Sequence, residues 1–174
     1  IHQIDRKGRD VSGFPVELKA PVTKGLVVLD YDTNRSYRML VIQGKNIHNF
    51  SIDGQIIKGW DFKANDVVAV EPTLIQINNK DYIVFSDESG KVRVLNRKGE
   101  DRIQLTNQFP SDIKRYSVCN NNALSNSGVL GTDTNGTIYF LKLADEIETV
   151  ALKSFDGKFD IDYKDFNGDG NLDF

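Results

Sequence analysis

An all-β fold made of repeated four-stranded antiparallel sheets is what this sequence predicts, and three observations carry the prediction. Segments of the 174-residue chain recur at a period of about 46 residues, each period holds four short apolar runs separated by turn residues, and no segment shows sustained helical periodicity. The recurrence is read most plainly from IHQIDRKGRDVSGF at Ile1, which aligns without gaps on IHNFSIDGQIIKGW at Ile47 and VRVLNRKGEDRIQL at Val92. IYFLKLADE at Ile138 continues the series, so the start positions 1, 47, 92 and 138 are separated by 46, 45 and 46 residues.

Each anchor closes a hairpin. YRMLVIQGKNI from Tyr37, YIVFSDESGKV from Tyr82 and GVLGTDTNGTI from Gly128 have equal lengths and join two apolar runs across a turn. Gly90 and Gly136 take one position of that turn, and Lys45 stands there in the first copy. Gly8, Gly54 and Gly99 share a position in a second turn, flanked by the alternation of half-buried strands. A further run precedes each unit, at Leu26 to Tyr31, Thr73 to Ile77 and Tyr116 to Cys119. Four strands at a period near 45 residues is the arithmetic of a β-propeller blade, in which sheets pack face to face around a ring. The expected organisation is a single propeller region over 1–174: outer strands of a partial blade at 1–18, blades at 19–65, 66–110 and 111–153, and an inner strand with a loop at 154–174. About four units are visible, so the region is expected either to be part of a larger propeller or to close its ring by joining 156–174 to 1–18. Phe14, Trp60 and Leu105 fall at one equivalent position and read as core anchors between adjacent blades.

Composition narrows the function classes. Apolar residues make up 39% of the chain and the net charge is −3, the balance of an ordinary globular protein. The only cysteine, Cys119, lies in an inner-strand pattern and reads as a small buried hydrophobe, and one cysteine forms no intrachain disulfide. His2 and His48 share a repeat position and read as equivalent exposed strand residues on neighbouring blades. With two histidines, one cysteine and no nucleophile-elbow or zinc-protease string, no catalytic set is visible, and the expected cofactor-binding and catalytic residues are none. The densest basic group, Arg93, Arg97, Lys98 and Arg102, is interleaved with Glu100 and Asp101, which fits a solvated edge and not a nucleic-acid surface. No apolar run is long enough to span a membrane as a helix, so no direct insertion is expected.

Acids concentrate at the C-terminal end, where 156–174 holds six Asp against two Lys. Within DFNGDGNLDF, Asp165, Asn167 and Asp169 are spaced two apart, Gly170 allows a sharp bend, Asn171 offers a backbone carbonyl, and Asp173 closes the set. A hard cation such as calcium takes six to eight oxygen ligands, and alternate residues of a tight loop can supply them, so one structural calcium is expected at these five residues. Asp30, Asp32 and Asn34 repeat the first three positions, but Arg38 stands where the closing acid belongs, which makes this loop a worn copy. The third copy, INNKDYIV, has no such loop.

The string D-x-N-x-D-G-x-x-D followed by a strand and a Gly-containing hairpin resembles the FG-GAP and VCBS type of propeller repeat found in integrin α-chain heads and large bacterial surface proteins. DRKGRDVSGFP from Asp5 looks like the outer-hairpin ending of the bacterial repeats, and SIDGQIIKGW is a variant of it. The resemblance implies calcium held between the first two strands of a blade by Asp165, Asn167, Asp169, Asn171 and Asp173. It also implies a secreted, periplasmic or cell-surface protein whose propeller binds a protein or glycan or docks on other blades or domains of the same protein. A non-catalytic binding or scaffolding module is the expected function. The alternative is the propeller portion of a dehydrogenase or polysaccharide-cleaving enzyme whose catalytic residues lie elsewhere.

Overall fold

The computed structural model describes residues 1–60, 62–151, 166–168 and 173. Among these residues there is no helix, and twelve strands form three four-stranded antiparallel sheets. Sheet 1 comprises β1 (Lys24–Leu29), β2 (Arg38–Gln43), β3 (Asn46–Ser51) and β4 (Phe62–Lys63). Sheet 2 comprises β5 (Thr73–Ile77), β6 (Lys80–Ser86), β7 (Val92–Leu95) and β8 (Asp101–Ile103). Sheet 3 comprises β9 (Arg115–Cys119), β10 (Gly128–Thr132), β11 (Thr137–Lys142) and β12 (Ile147–Ala151). In each sheet spatial order equals chain order, so every strand pairs with its sequence neighbour.

The outer turn of each unit is the same structure four times. The amides of Asp5, Ser51, Asn96 and Lys142 donate to the carbonyls of Arg9, Gln55, Glu100 and Glu146, and those of Gly8, Gly54, Gly99 and Asp145 donate back to Asp5, Ser51, Asn96 and Lys142. This geometry demands a left-handed residue at the third step, with φ of 77°, 71° and 81° at the three glycines. Asp145 takes the position with φ 64°, a conformation that Asp tolerates better than most side chains.

The hairpin between the second and third strands differs between sheets. Ile42 pairs with Ile47 in sheet 1, whereas Ser86 pairs with Val92 and Thr132 with Ile138 in sheets 2 and 3, so the first connection is one residue shorter. It is a two-residue turn with φ 62° at Gly44, the residue before the expected Lys45. In the longer turns Asp87 Oδ1 accepts the amides of Ser89 and Lys91, and Asp133 Oδ1 accepts those of Asn135 and Thr137. The gapless alignment of Tyr37 on Tyr82 is therefore corrected by one residue, and the correction matters because a one-residue slip exchanges the faces of a strand. With it, Met39 and Val41 correspond to Ile83 and Phe85, all of which face away from the following sheet.

The core lies between the sheets. Leu29, Leu40, Ile42 and Ile47 of sheet 1 pack with Ile83, Phe85 and Leu95 of sheet 2, and Phe62 meets Phe85 edge to face at 5.4 Å. On its other face sheet 2 presents Ile75, Val84, Val92 and Val94 to Val129 and Leu141 of sheet 3. Burial on both faces explains why β6 runs Tyr-Ile-Val-Phe without alternation. Gly128 in β10 is required by close approach, since a Cβ there would lie 2.1 Å from the Leu141 carbonyl oxygen. Residues 1–18 form no sheet of their own, and Ile1, Phe14, Val16 and Leu18 cover Met39, Val41 and Phe50 on the free side of sheet 1.

Candidate functional site

Two loops carry the acids that the sequence singles out. Of the five calcium-loop residues, Asp165, Asp169 and Asn171 lie outside the described residues. Asn167 and Asp173 are described and come together: Asp173 Oδ2 accepts the Phe166 amide at 2.9 Å and its Oδ1 lies 3.5 Å from Asn167 Nδ2. The last acid thus returns to the start of the loop, and Gly168 takes φ 79° within the bend. Both side chains carry oxygens of the kind calcium takes, and here the Asn167 amide turns its nitrogen to Asp173. Among the described residues no group of three or more His, Cys, Asp or Glu is placed to hold a metal.

The worn loop between β1 and β2 is satisfied from within the protein. Asp30 accepts the amides of Asn34 and Arg35 at 3.2 and 3.1 Å, and Asn34 Oδ1 accepts the Ser36 amide. Asp32 pairs at 2.7 Å with Arg97, which comes from the β7–β8 turn of the neighbouring sheet. The same guanidinium pairs through Nε with buried Asp81, donates to the Tyr31 carbonyl and lies 4.8 Å above the Tyr31 ring. Gln76 Nε2 completes the cluster by donating to Tyr31 O and Asp81 Oδ1. Burial and the charge of Asp81 push the Tyr31 hydroxyl up to about 12. Arg38, expected at the closing position, instead donates to the carbonyls of Ser36 and Tyr37. A guanidinium from the next unit joins a loop of sheet 1 to sheet 2 at this junction.

The expected solvated edge is seen at Arg97, Lys98 and Arg102, which are exposed beside Glu100 and Asp101 at the edge strand β8, while Arg93 is half-buried. Arg93 pairs with Asp101 at 2.7 Å and stacks on Phe62 of sheet 1 at 4.7 Å, and Arg102 lies 5.5 Å from the Tyr82 ring centroid. Sequence reasoning missed Arg97 because its partners are 16 and 65 residues away, at Asp81 and Asp32. No signal local to the loop points to Arg97, because Asp30 and Asp32 are already matched in sequence by Arg35 and Arg38.

The anchors Phe14, Trp60 and Leu105 all lie at unit junctions. The Trp60 indole donates to Ile47 O at 2.7 Å, and a Cβ on Gly99 would lie 3.1 Å from its ring. Gly54 likewise abuts Gly13 and Val16, beside Phe14. At the third junction the amides of Thr106 and Asn107, just after Leu105, donate to the Asp145 carboxylate at 2.9 and 3.0 Å. Turn positions 54, 99 and 145 therefore meet Gly13 and Val16, Trp60, and Thr106 and Asn107, each at or within two residues of an anchor. The bonds from Asn107 and Thr106 hold Asp145 below the usual carboxylate range. A depressed carboxylate contributes stability above its unfolded pKa and loses it as pH falls through the folded value, here below about pH 4. Asp145→Asn is expected to lower Tm by a few degrees at pH 7, with the gap to wild type closing in melts taken below pH 3.

Cys119 is buried, and burial pushes its thiol up to about 11, which fits the small hydrophobe expected there. His2 is exposed beside Asp10 at 3.0 Å, while His48 is partly buried 6.4 Å from the Phe50 ring, so the shared repeat position does not give them shared surroundings. No helix is long and apolar enough to cross a membrane among the described residues.

Among the described residues these observations define an all-β arrangement of three stacked antiparallel sheets joined by recurring junctions. In comparisons with known proteins the chain matches no family model, no curated protein and no solved structure.

Proposed function

We propose that the chain is a non-catalytic β-propeller module, part of a larger secreted or surface protein, that serves as a rigid platform for a protein or glycan partner. The observation that supports it is the junction geometry: among the described residues three sheets share one strand order, and the segments around anchors 14, 60 and 105 meet the turns at 54, 99 and 145. Sheets repeated by one step of this kind stack radially, and the connections between strands become the variable binding surface. In this reading the loop at 165–173 binds calcium as a brace, with Asp165, Asn167, Asp169, Asn171 and Asp173 as ligands, and no chemistry is done there.

Thermal unfolding tests the brace. An ion held only by the folded protein raises Tm, by several degrees at saturating calcium. A chelator is expected to reverse that rise and Asp169→Ala to abolish it with sheets 1 and 2 still folded. Equal melting points with calcium and with chelator would remove calcium from the proposal.

A further inference from the structure

The free face of sheet 1 is covered over only part of its width. Residues 1–18 close its outer part at Met39, Val41 and Phe50. Its inner part is β1, where Leu26 lies opposite Val41 and Val28 opposite Met39 and so both project to this same face. Leu26 is 46% and Val28 54% exposed. Strand register matches Val28 to Leu74 in sheet 2 and Val118 in sheet 3, since their partners Met39, Ile83 and Val129 are equivalent. Leu74 and Val118 are packed into the clusters shared with the preceding sheet. Around Leu74 that cover comes from β1 and β2, through Val27, Leu29, Leu40 and Ile42.

Ile1 covers Met39 and Val41, the cross-strand partners of Val28 and Leu26, and the backbone of 1–5 that follows is paired on one side only. Ile1, Gln3 and Asp5 bond to Val16, Val11 and Arg9, whereas the backbone groups of His2 and Ile4, which alternate to the other side, make no hydrogen bond among the described residues. We propose that this edge and the adjoining Leu26 and Val28 form a docking site for an antiparallel strand pair contributed by a further unit of the same repeat. The pair adds to the edge at His2 and Ile4 through main-chain hydrogen bonds and lays alternating aliphatic side chains on Leu26 and Val28, as β1 and β2 do on Leu74. Continuity with the surface already made by residues 1–18 fixes the side on which it sits. The inference rests on the propeller reading, which supplies the nature of the occupant.

A synthetic peptide spanning residues 24–44, the chain's own inner strand pair, is the probe. Titrated into the full chain, it is expected to bind saturably and to slow amide hydrogen exchange in 1–5 and 24–29. Val28→Asp, at an exposed position, is expected to leave Tm unchanged within about a degree and to weaken peptide binding at least tenfold. No saturable binding, protection elsewhere, equal binding by Val28→Asp and Leu26→Asp, or self-association of the chain through this strip would each overturn the site. The amides of β5–β8 report separately on sheet stacking. Poor protection there sinks the propeller reading, whereas protected β5–β8 without peptide binding sinks only the docking site.

Discussion

Phe85→Ala is expected to cost about 4 kcal/mol and to lower Tm by roughly 8 to 16 °C in a chain of this size. Phe85 has no exposed surface, and it fills the space between sheets 1 and 2 with its ring edge to face against Phe62. Removing it loses the transfer energy of the ring and leaves a cavity, because antiparallel sheets pinned on both sides cannot collapse to fill it. Val28→Ala is the matched control at an exposed strand position, with an expected change below about 0.5 kcal/mol. Urea unfolding monitored by Trp60 fluorescence measures both, since Trp60 belongs to the same cluster as Phe85. A loss below about 1 kcal/mol for Phe85→Ala would mean that sheets 1 and 2 do not meet as described.

The second large effect is expected from Arg97. In Arg97→Met, Asp81 keeps the Gln76 amide but loses its charge partner, and Asp32 and the Tyr31 carbonyl lose the bridge to sheet 2. Removing one partner of a fully buried pair costs 3–5 kcal/mol. Here Asp81 is 7% exposed but Arg97 is 41% exposed, so solvent screening reduces the expected loss to about 2 kcal/mol and Tm falls by roughly 4 to 8 °C. Arg97→Lys retains the charge without the planar fork that reaches both carboxylates, and it is expected to recover only part of the loss. A double-mutant cycle with Asp32→Asn isolates the bridge to sheet 1, and a coupling energy indistinguishable from zero would show that Arg97 serves Asp81 alone.

Why the strands were legible and the bridge was not follows from the range of the forces involved. Runs such as Leu-Ile-Gln-Ile at β5 and Arg-Met-Leu-Val-Ile at β2 declare themselves through neighbours in sequence, and turn residues such as Gly54 and Gly99 punctuate them. Equivalent positions expose the repeat even where chemistry changes, as when Asp145 takes a backbone conformation otherwise given to glycine. The single-residue shortening at Gly44 was hidden because aligned strings of equal length conceal a shift that only hydrogen-bond register reveals. At the acid loops, the spacing of Asp30, Asp32 and Asn34 marked an acid-rich turn, but not the remote guanidinium that pairs with Asp32. Asp165, Asp169 and Asn171, the heart of the calcium expectation, lie outside the described residues, so that part of the site rests on spacing and resemblance.

The sequential strand order has a kinetic consequence. Because each strand pairs with the one just before it, a sheet can form as soon as about forty residues of chain are available, and loop closure costs little entropy at any step. The slow event is then the meeting of one finished sheet with the next, where buried residues such as Phe85 first find their cover. Synthesis from the N-terminus delivers the units in their stacking order, so each new sheet emerges beside a surface already formed to receive it.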